Sequence, residues 1–409
     1  MTMERFQPTS AERLAGVIER AHAAGTRLHL VGGGTKAGFG HPVVADAVLD
    51  LSAFSGIERY EPAEQVITLG PATPLATVQA ALAEEGQRLA FDPPDIGPVF
   101  GEAPGLGTVG GAIAANLSGP GRPRAGAARD HLLGVEAVTG RGEIFKAGGR
   151  VVKNVTGYDL PKLMAGSFGT LAAMTRLTLR VAGRAPATVT AALLDLDPAA
   201  AGRLMQRISG SALEPLAIAY LPAEVAVRTR HPLAAAAVLV RFDGPSVALD
   251  ERLADLQTLV GDIAPVEAID GPDSDETWVA IRDIAGLLPD GARALWRLSV
   301  PPAAGCSLAA DLATSIPGLR WFADWAGGRL WLAVPPLADA GAAIIRPRVQ
   351  ALGGHATLVR APAAIKAQVP AFEPPPAGLA ALEARIRAAF DPAGILNPGI
   401  LGSGISGPN

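Results

Sequence analysis

VGGGTKAGFG, residues 31–40, follows a short apolar run at 27–31 that reads as a strand entering a glycine-rich turn. Three glycines after a strand let successive backbone N–H groups converge on an anion without Cβ obstruction, the geometry of a phosphate-binding nest. Gly32, Gly34 and Ala37 also satisfy the loose spacing of the dinucleotide fingerprint. That fingerprint requires a helix to open at the loop, with its N-terminus facing the pyrophosphate. Here Gly38, Gly40 and Pro42 stop any helix, so the Rossmann reading fails on context, and no P-loop pattern is present. Taken alone, the loop is equally compatible with an ordinary glycine-rich turn.

A second stretch, PGLGTVGGAIAANLSG at residues 104–119, changes the balance. Glycines at 105, 107, 110 and 111 with Thr108 again supply unobstructed backbone donors, and Asn116 and Ser118 add side-chain hydrogen-bonding groups. By itself it reads equally well as a small-residue helix packed tightly on a neighbour. Two such loops in one domain favour a pyrophosphate held from both sides.

Around these loops the pattern is mixed. Thr9 to Glu12 has the spacing of a capping box, with Leu14, Val17, Ile18 and Ala21 on one helical face and Gly25 as the stop. Short strands are expected near 48–51, 57–60 and 66–69, then a helix at 75–85 opened by Pro74 and closed by Gly86. Strands at 135–139 and 143–147 flank Gly140-Arg141-Gly142, a hairpin signal, and an alternating strand at 171–181 closes this half. Pro186 marks a boundary near 185. Beyond it the order β-α-β-β-α-β runs over 188–269 and, after a connecting helix at 276–288, recurs over 293–360. Two ferredoxin-like halves in one antiparallel sheet, with helices on one face, are expected. A proline-rich linker at 369–376 leads to a helix at 379–390 and the tail FDPAGILNPG, residues 390–399.

The runs KNVTGYDL (153–160) and GSFGT (166–170), with TVGGAIAANLSG (108–119) and the tail, are similar to the vanillyl-alcohol-oxidase and p-cresol-methylhydroxylase (PCMH) type of FAD-binding proteins. Among these the chain most resembles the FAD-binding, E-type subunits of glycolate oxidase. The resemblance covers residues 1–185 and 379–400. It implies an α+β chain with three parts: a PCMH-type FAD-binding domain of two α/β subdomains (1–185), a cap domain of duplicated ferredoxin-like units (186–370) and a C-terminal segment (377–409) returning to the first domain. It also implies that Gly32, Gly33, Gly34, Thr35 and Lys36 hold the FAD pyrophosphate, with Thr108, Gly110 and Gly111 on its other side. Asn116 and Ser118 fall near the flavin, Gly119 and Asp130 at the pocket wall, Gly169 and Leu171 where a strand passes the cofactor, and Asn397 where the tail meets the isoalloxazine.

Some positions depart from the family. Phe168 stands where related dehydrogenases carry Glu, and Thr35-Lys36 stand where covalent members carry His, so FAD is expected to be non-covalent. Related catalytic subunits carry paired histidines for a metal and the substrate carboxylate. This chain has only His231 and His355 in the cap, without ligand spacing, and no metal is expected. Neither the base nor the cation that hydroxy-acid oxidation needs has an evident occupant. His22, His29, His41 and His131 read as packing or surface residues. Tyr158 and Asp159 read equally as flavin-proximal or as a structural turn. The segment 320–334 reads as core before interface, and Cys306 as packed in the cap.

Composition bounds the rest. With 409 residues, 49% hydrophobic, the chain fills a large core. Its longest apolar runs, such as LAAAAVLV at 233–240, fall short of the roughly 18–20 residues of a membrane span, and the N-terminus lacks a signal-type apolar stretch. A net charge of −4 and the lack of a basic run argue against a nucleic-acid partner. The single cysteine excludes an intrachain disulfide and a self-supplied iron–sulfur cluster and fits a reducing, cytoplasmic setting. The resemblance therefore implies a flavin-carrying subunit working on a small 2-hydroxy acid, glycolate. Its implied partners are a related FAD-linked catalytic subunit and an iron–sulfur subunit, with peripheral membrane association only through the complex. A self-sufficient FAD-linked hydroxy-acid dehydrogenase is the alternative, and a non-catalytic scaffold of the same fold a third.

Overall fold

The computed structural model describes residues 3–149, 157–229, 233, 235–261, 263–288 and 292–402. Contacts divide the chain into two compact units: Met1–Ser118 with Gly126–Arg184 and Pro374–Asn409, and Gly119–Ala125 with Ala185–Glu373.

In the first unit, β1 (Glu4–Phe6), α1 (Ala11–Ala24), β2 (Leu28–Val31) and β3 (Ala47–Asp50) build a three-stranded parallel sheet in the order β1-β3-β2. Ser10, not Thr9, caps α1: its Oγ accepts from the Arg13 amide at 3.3 Å, while Thr9 Oγ1 takes the Arg13 guanidinium. Leu14 and Ile18 of α1 pack on Leu28 and Leu49. There follow β4 (Ile57–Glu61), β5 (Val66–Leu69), α2 (Leu75–Glu84), β6 (Gln87–Arg88), α3 (Val109–Ala114) and α4 (Arg122–Ala125), the last clustering with the second unit. Then come α5 (Ala128–His131), β7 (Leu132–Thr139), β8 (Ile144–Gly148), α6 (Leu160–Met164), β9 (Ala172–Arg180) and β10 (Ala182–Gly183), which pairs with β6. Strands β4-β5-β9-β7-β8 form an antiparallel sheet, and the expected turn at 140–142 joins β7 to β8. Its inner face carries Ile67, Leu69, Val135 and Leu177, covered by Val78 and Leu82 of α2 and Val109 and Ile113 of α3.

The second unit runs β11 (Ala187–Leu194), α7 (Pro198–Ser209), β12 (Ala217–Leu221), α8 (Ala223–Ala226), β13 (Ala237–Gly244), α9 (Ser246–Val260), β14 (Val266–Asp270) and α10 (Gly271–Arg282). It continues through β15 (Ala294–Ser299), α11 (Pro302–Ser315), β16 (Arg320–Asp324), β17 (Arg329–Val334), α12 (Ala342–Ala351), β18 (His355–Arg360) and α13 (Ala363–Lys366). One eight-stranded sheet results, ordered β14-β11-β13-β12-β16-β17-β15-β18. Numbered within its own half, each set of four lies in the ferredoxin-like order 4-1-3-2, and the halves join where Tyr220 of β12 faces Ala323 of β16. Residues of α7, α9, α11 and α12 pack on one face, with Cys306 inside that core. Within residues 320–334, β16 and β17 are core strands, as their apolar content suggests. Helix α10, expected further along at 276–288, begins at Gly271-Pro272, a residue pair that opens helices, and covers β11 on the opposite face.

After α14 (Ala377–Phe390) the tail joins the first unit. Leu28 donates to Ile395 O at 2.7 Å and accepts from Asn397 N at 2.9 Å, so residues 395–397 extend the parallel sheet beyond β2. Among the described residues no helix is long and apolar enough to cross a membrane.

Candidate cofactor site

Strand β2 ends at Val31 and delivers the first glycine loop into a cavity that Gly32, Gly33, Gly34, Thr35 and Lys36 line together. The amides of these five residues have no hydrogen-bond acceptor among the described residues. Five successive amides without a protein acceptor, beside a cavity, are donors available to an acceptor-rich ligand. A Cβ on Gly33 would lie 2.7 Å from Leu106 O and 2.9 Å from Thr108 Cγ2, so only glycine lets the two loops touch here.

The second loop contributes Thr108, Gly110 and Gly111 to the same cavity, but the amides of Gly110 and Gly111 are already engaged. Gly110 N donates to Pro71 O at 2.7 Å, and Gly111 N donates to Thr108 Oγ1 at 3.2 Å, the N-cap bond of α3. A Cβ on Gly110 would stand 2.5 Å from Pro71 Cβ. Lys36 reaches between the loops, its Nζ 3.4 Å from Thr35 Oγ1 and 3.2 Å from where a Cβ on Gly111 would lie. Desolvation pulls its pKa down to about 8, with Asp95 opposing, so the amine is still largely an ammonium at neutral pH. Available amides plus one half-buried cation are what a pyrophosphate needs, and the residues present fit FAD in that respect.

From the far side come Phe168 and Gly169 of the GSFGT block, just before β9, and Asn397. Asn397 is a brace: Oδ1 accepts from Leu30 N at 2.7 Å and Nδ2 donates to Phe168 O at 2.8 Å. It lines the cavity with its polar atoms already spent on the protein.

Five of the sequence-expected positions stand outside the cavity lining. Asn116 Oδ1, Ser118 Oγ and Asp130 Oδ2 accept from the amides of Arg129, Ala128 and Ala127 respectively, at 3.2, 3.0 and 2.9 Å, and so hold the start of α5. Leu171 is core. Gly119 clusters with the second unit, where its carbonyl accepts from Trp325 Nε1 at 3.0 Å. Tyr158 is exposed, and Asp159 caps α6 by accepting from Lys162 N at 3.4 Å. Residues 153–156 of the KNVTGYDL run and His231 lie outside the described residues. Conversely, His29, Met174 and Ile400 line the cavity although sequence gave them no such role. His29 reads as packing because nothing in its local pattern shows which side of β2 meets a ligand; burial holds its imidazole below its ordinary value. Among the described residues no group of three His, Cys, Asp or Glu could hold a metal.

Residues 5–148 match the family described as an FAD binding domain. The chain is 31% identical over 390 residues to glycolate oxidase subunit GlcE of Escherichia coli (strain K12), covering 95% of this chain and 96% of that one. The chain belongs to that family of FAD-linked subunits. FAD is accordingly the cofactor, and the chain is an FAD-dependent oxidoreductase subunit. Other FAD-linked relatives are matched over about half of this chain or less. D-lactate dehydrogenase of Archaeoglobus fulgidus is 31% identical over 178 residues, 43% of this chain and 38% of that one. These relatives place the family among FAD-linked oxidases of 2-hydroxy acids. The fold matches p-cresol methylhydroxylase with a TM-score of 0.75 at 14% identity, covering 97% of this chain and 88% of that one. The PCMH-type architecture is therefore shared well beyond recognisable sequence.

Proposed function

We propose that this chain is the FAD-carrying subunit of a glycolate-oxidising complex and that it holds the cofactor without a covalent bond. The observation that carries the reading is the run of five available amides at Gly32 to Lys36 beside the Lys36 ammonium. It is supported by the likeness to a glycolate oxidase subunit along nearly the whole chain. Gly32, Gly33, Gly34, Thr35 and Lys36 are assigned to the pyrophosphate. Thr108, Gly110 and Gly111 form the wall that fixes the first loop, and Gly169 and Asn397 the opposite side. When bound, the flavin accepts a hydride and passes electrons on singly. The chain's own part is binding, orientation and exclusion of water. Rapid substrate oxidation is assigned to a related FAD-linked subunit and onward transfer to an iron–sulfur subunit. The complex is cytoplasmic, meeting a membrane only through those partners.

Two measurements on the purified full chain test this. Acid precipitation is expected to leave yellow FAD in the supernatant; flavin retained in the pellet refutes non-covalent binding. With glycolate or D-lactate and a dye acceptor, the lone chain is expected to turn over about 10²–10⁴-fold more slowly than the complex, the range that loss of a general base produces. Brisk turnover without partners overturns the subunit assignment.

A further inference from the structure

The tail that lines one side of the cofactor cavity springs from a buried acid. Asp391, the residue after α14, is 4% exposed. Its Oδ2 accepts from Leu396 N at 2.8 Å and so sets the turn that returns residues 395–397 to β2. From there Asn397 and Ile400 reach the cavity. The chain beyond β2 ties the tail down twice more, with His41 N donating to Ile400 O at 2.9 Å and Val44 N to Pro398 O at 3.3 Å.

The other carboxylate oxygen is unused. Asp391 Oδ1 is buried with no hydrogen-bond partner among the described residues. It lies against Gly140, where a Cβ would overlap the carboxylate, and Gly140 N donates to Phe390 O at 2.9 Å. A second polar atom is left over on the facing helix. Nδ1 of His22, in the last turn of α1, is buried without a partner among the described residues, and the charge of His22 bears on Asp391. The elements that meet here, α1, β7 and the tail, share one apolar cluster of Ile18, Ala21, Val138, Ile395 and Leu396. Other charged groups nearby are placed elsewhere. Glu19 lies against the Gly142 turn, Arg387 pairs with Glu383 at 3.1 Å, and Arg141 and Glu143 are exposed. Residues 392–400 carry no titratable side chain.

With His22 neutral, the docked tail buries an ionised carboxylate that is only half satisfied. Burial raises the Asp391 pKa above its ordinary value, with the amides of Leu396 and Ile395 opposing. A proton entering the pair removes that cost, whether it makes an imidazolium beside the carboxylate or a carboxylic acid. We propose that Asp391 and His22 are a proton-operated latch that fastens the C-terminal tail, and with it one wall of the cofactor cavity, as pH falls. Acid favours the docked tail because docking raises the pKa of the carboxyl. The stabilisation is complete below the undocked value and is lost as pH rises through the docked one.

The test uses the full chain and two readouts between pH 7 and 5: FAD dissociation constants, and amide exchange of the flavin-free chain corrected for its intrinsic pH dependence. The parent's affinity for FAD is expected to rise about three- to tenfold over that range, within the tenfold per pH unit that one proton allows. The Lys36 ammonium is already formed there and adds little. Exchange at the Leu28 and Leu30 amides, which bond to Ile395 and Asn397, is expected to slow by a similar factor. Asp391→Asn keeps the shape without the charge and is expected to flatten both profiles to within about twofold, since no proton is left to take up. His22→Leu is expected to move the response to lower pH, where Asp391 itself takes the proton; it carries the test should Asp391→Asn fail to fold. A flat parent profile, or variant profiles parallel to the parent's, overturns the latch. Slowed exchange with unchanged FAD affinity overturns its link to the cofactor. Neither readout involves oxidation, so failure of the glycolate reading leaves the result standing.

Discussion

The two glycine loops of the first unit look alike in sequence, but the glycines that line the cavity serve them differently. In GGGTK at residues 32–36 the backbone is left over: five amides face a cavity with no acceptor from the described chain. In GLGTVGG at 105–111 the amides of Gly110 and Gly111, the two glycines that line the cavity, are used up, bonded to Pro71 and Thr108. Glycine serves the first loop by exposing donors and the second by permitting contact, since a methyl group at Gly110 would overlap Pro71. A glycine-rich loop therefore identifies a ligand site only once its N–H groups are followed to their acceptors.

That contrast is broken most severely by Gly110→Val. The added atoms collide with Pro71 and sever a 2.7 Å hydrogen bond in the core, so the variant is expected to lose several kcal/mol, or to fail to fold, by the overpacking and lost-hydrogen-bond costs together. Thermal melting and soluble yield report it; a melting temperature within a few degrees of the parent refutes the buttress role. Truncation after Pro376 ranks next. It removes the tail's bonds to Leu28 and the Asn397 brace on Leu30 and Phe168, leaving buried amides and carbonyls orphaned at about 1–3 kcal/mol each. Flavin retention is expected to drop with stability, and unchanged retention refutes the brace. Gly33→Ala is milder on the fold because the first loop is exposed and can recoil from Leu106. Flavin affinity is expected to fall about 10²-fold while the flavin-free protein melts near the parent temperature, the loss of one or two charge-assisted bonds. A large fall in melting temperature with flavin affinity preserved would reverse the roles assigned to the two loops.

How much of this was legible beforehand follows the same logic. Strands with a clear period of two, such as Ala172–Arg180, and helices with definite stops, such as Pro198–Ser209, are where alternation and capping residues place them. The duplicated order of the second unit was visible because each strand and helix carries its own periodicity. The three-residue β1 is too short to show a pattern, and α10 was placed late because its opening turn, GPDSDE, is polar. For the site, the glycine loops announced themselves, but Asn116, Ser118 and Asp130 did not reveal that their partners are the amides at 127–129. A polar side chain looks the same in sequence whether it meets a ligand or a backbone. Cross-strand neighbours are invisible for a different reason: they depend on register among residues up to 60 positions apart, as where 297 faces 331 and 357.

The smallest effect sharpens the comparison from the side of charge. Lys36 is the cation that the first loop adds to its free amides, and desolvation sets its pKa near 8 in the flavin-free chain. A bound pyrophosphate favours the ammonium, so binding near pH 8 takes up a fraction of a proton. Affinity is then greatest below pH 8 and declines above it, by at most about tenfold per pH unit, until the pKa of the bound state is reached. The stability of the flavin-free chain moves the other way. Its folded state holds this proton less tightly than the unfolded lysine at 10.5, so the destabilisation is complete below about 8 and relaxes as pH rises towards 10.5. Lys36→Met removes both dependences: its flavin affinity is expected to be lower at pH 7 but flat from 7 to 9.5, and its flavin-free melting temperature higher than the parent's at pH 7. Dissociation constants and melting curves over that range decide it. Parallel pH profiles for parent and Lys36→Met would show that the ammonium does not meet the phosphate, leaving the amides of Gly32 to Lys36 to hold it alone.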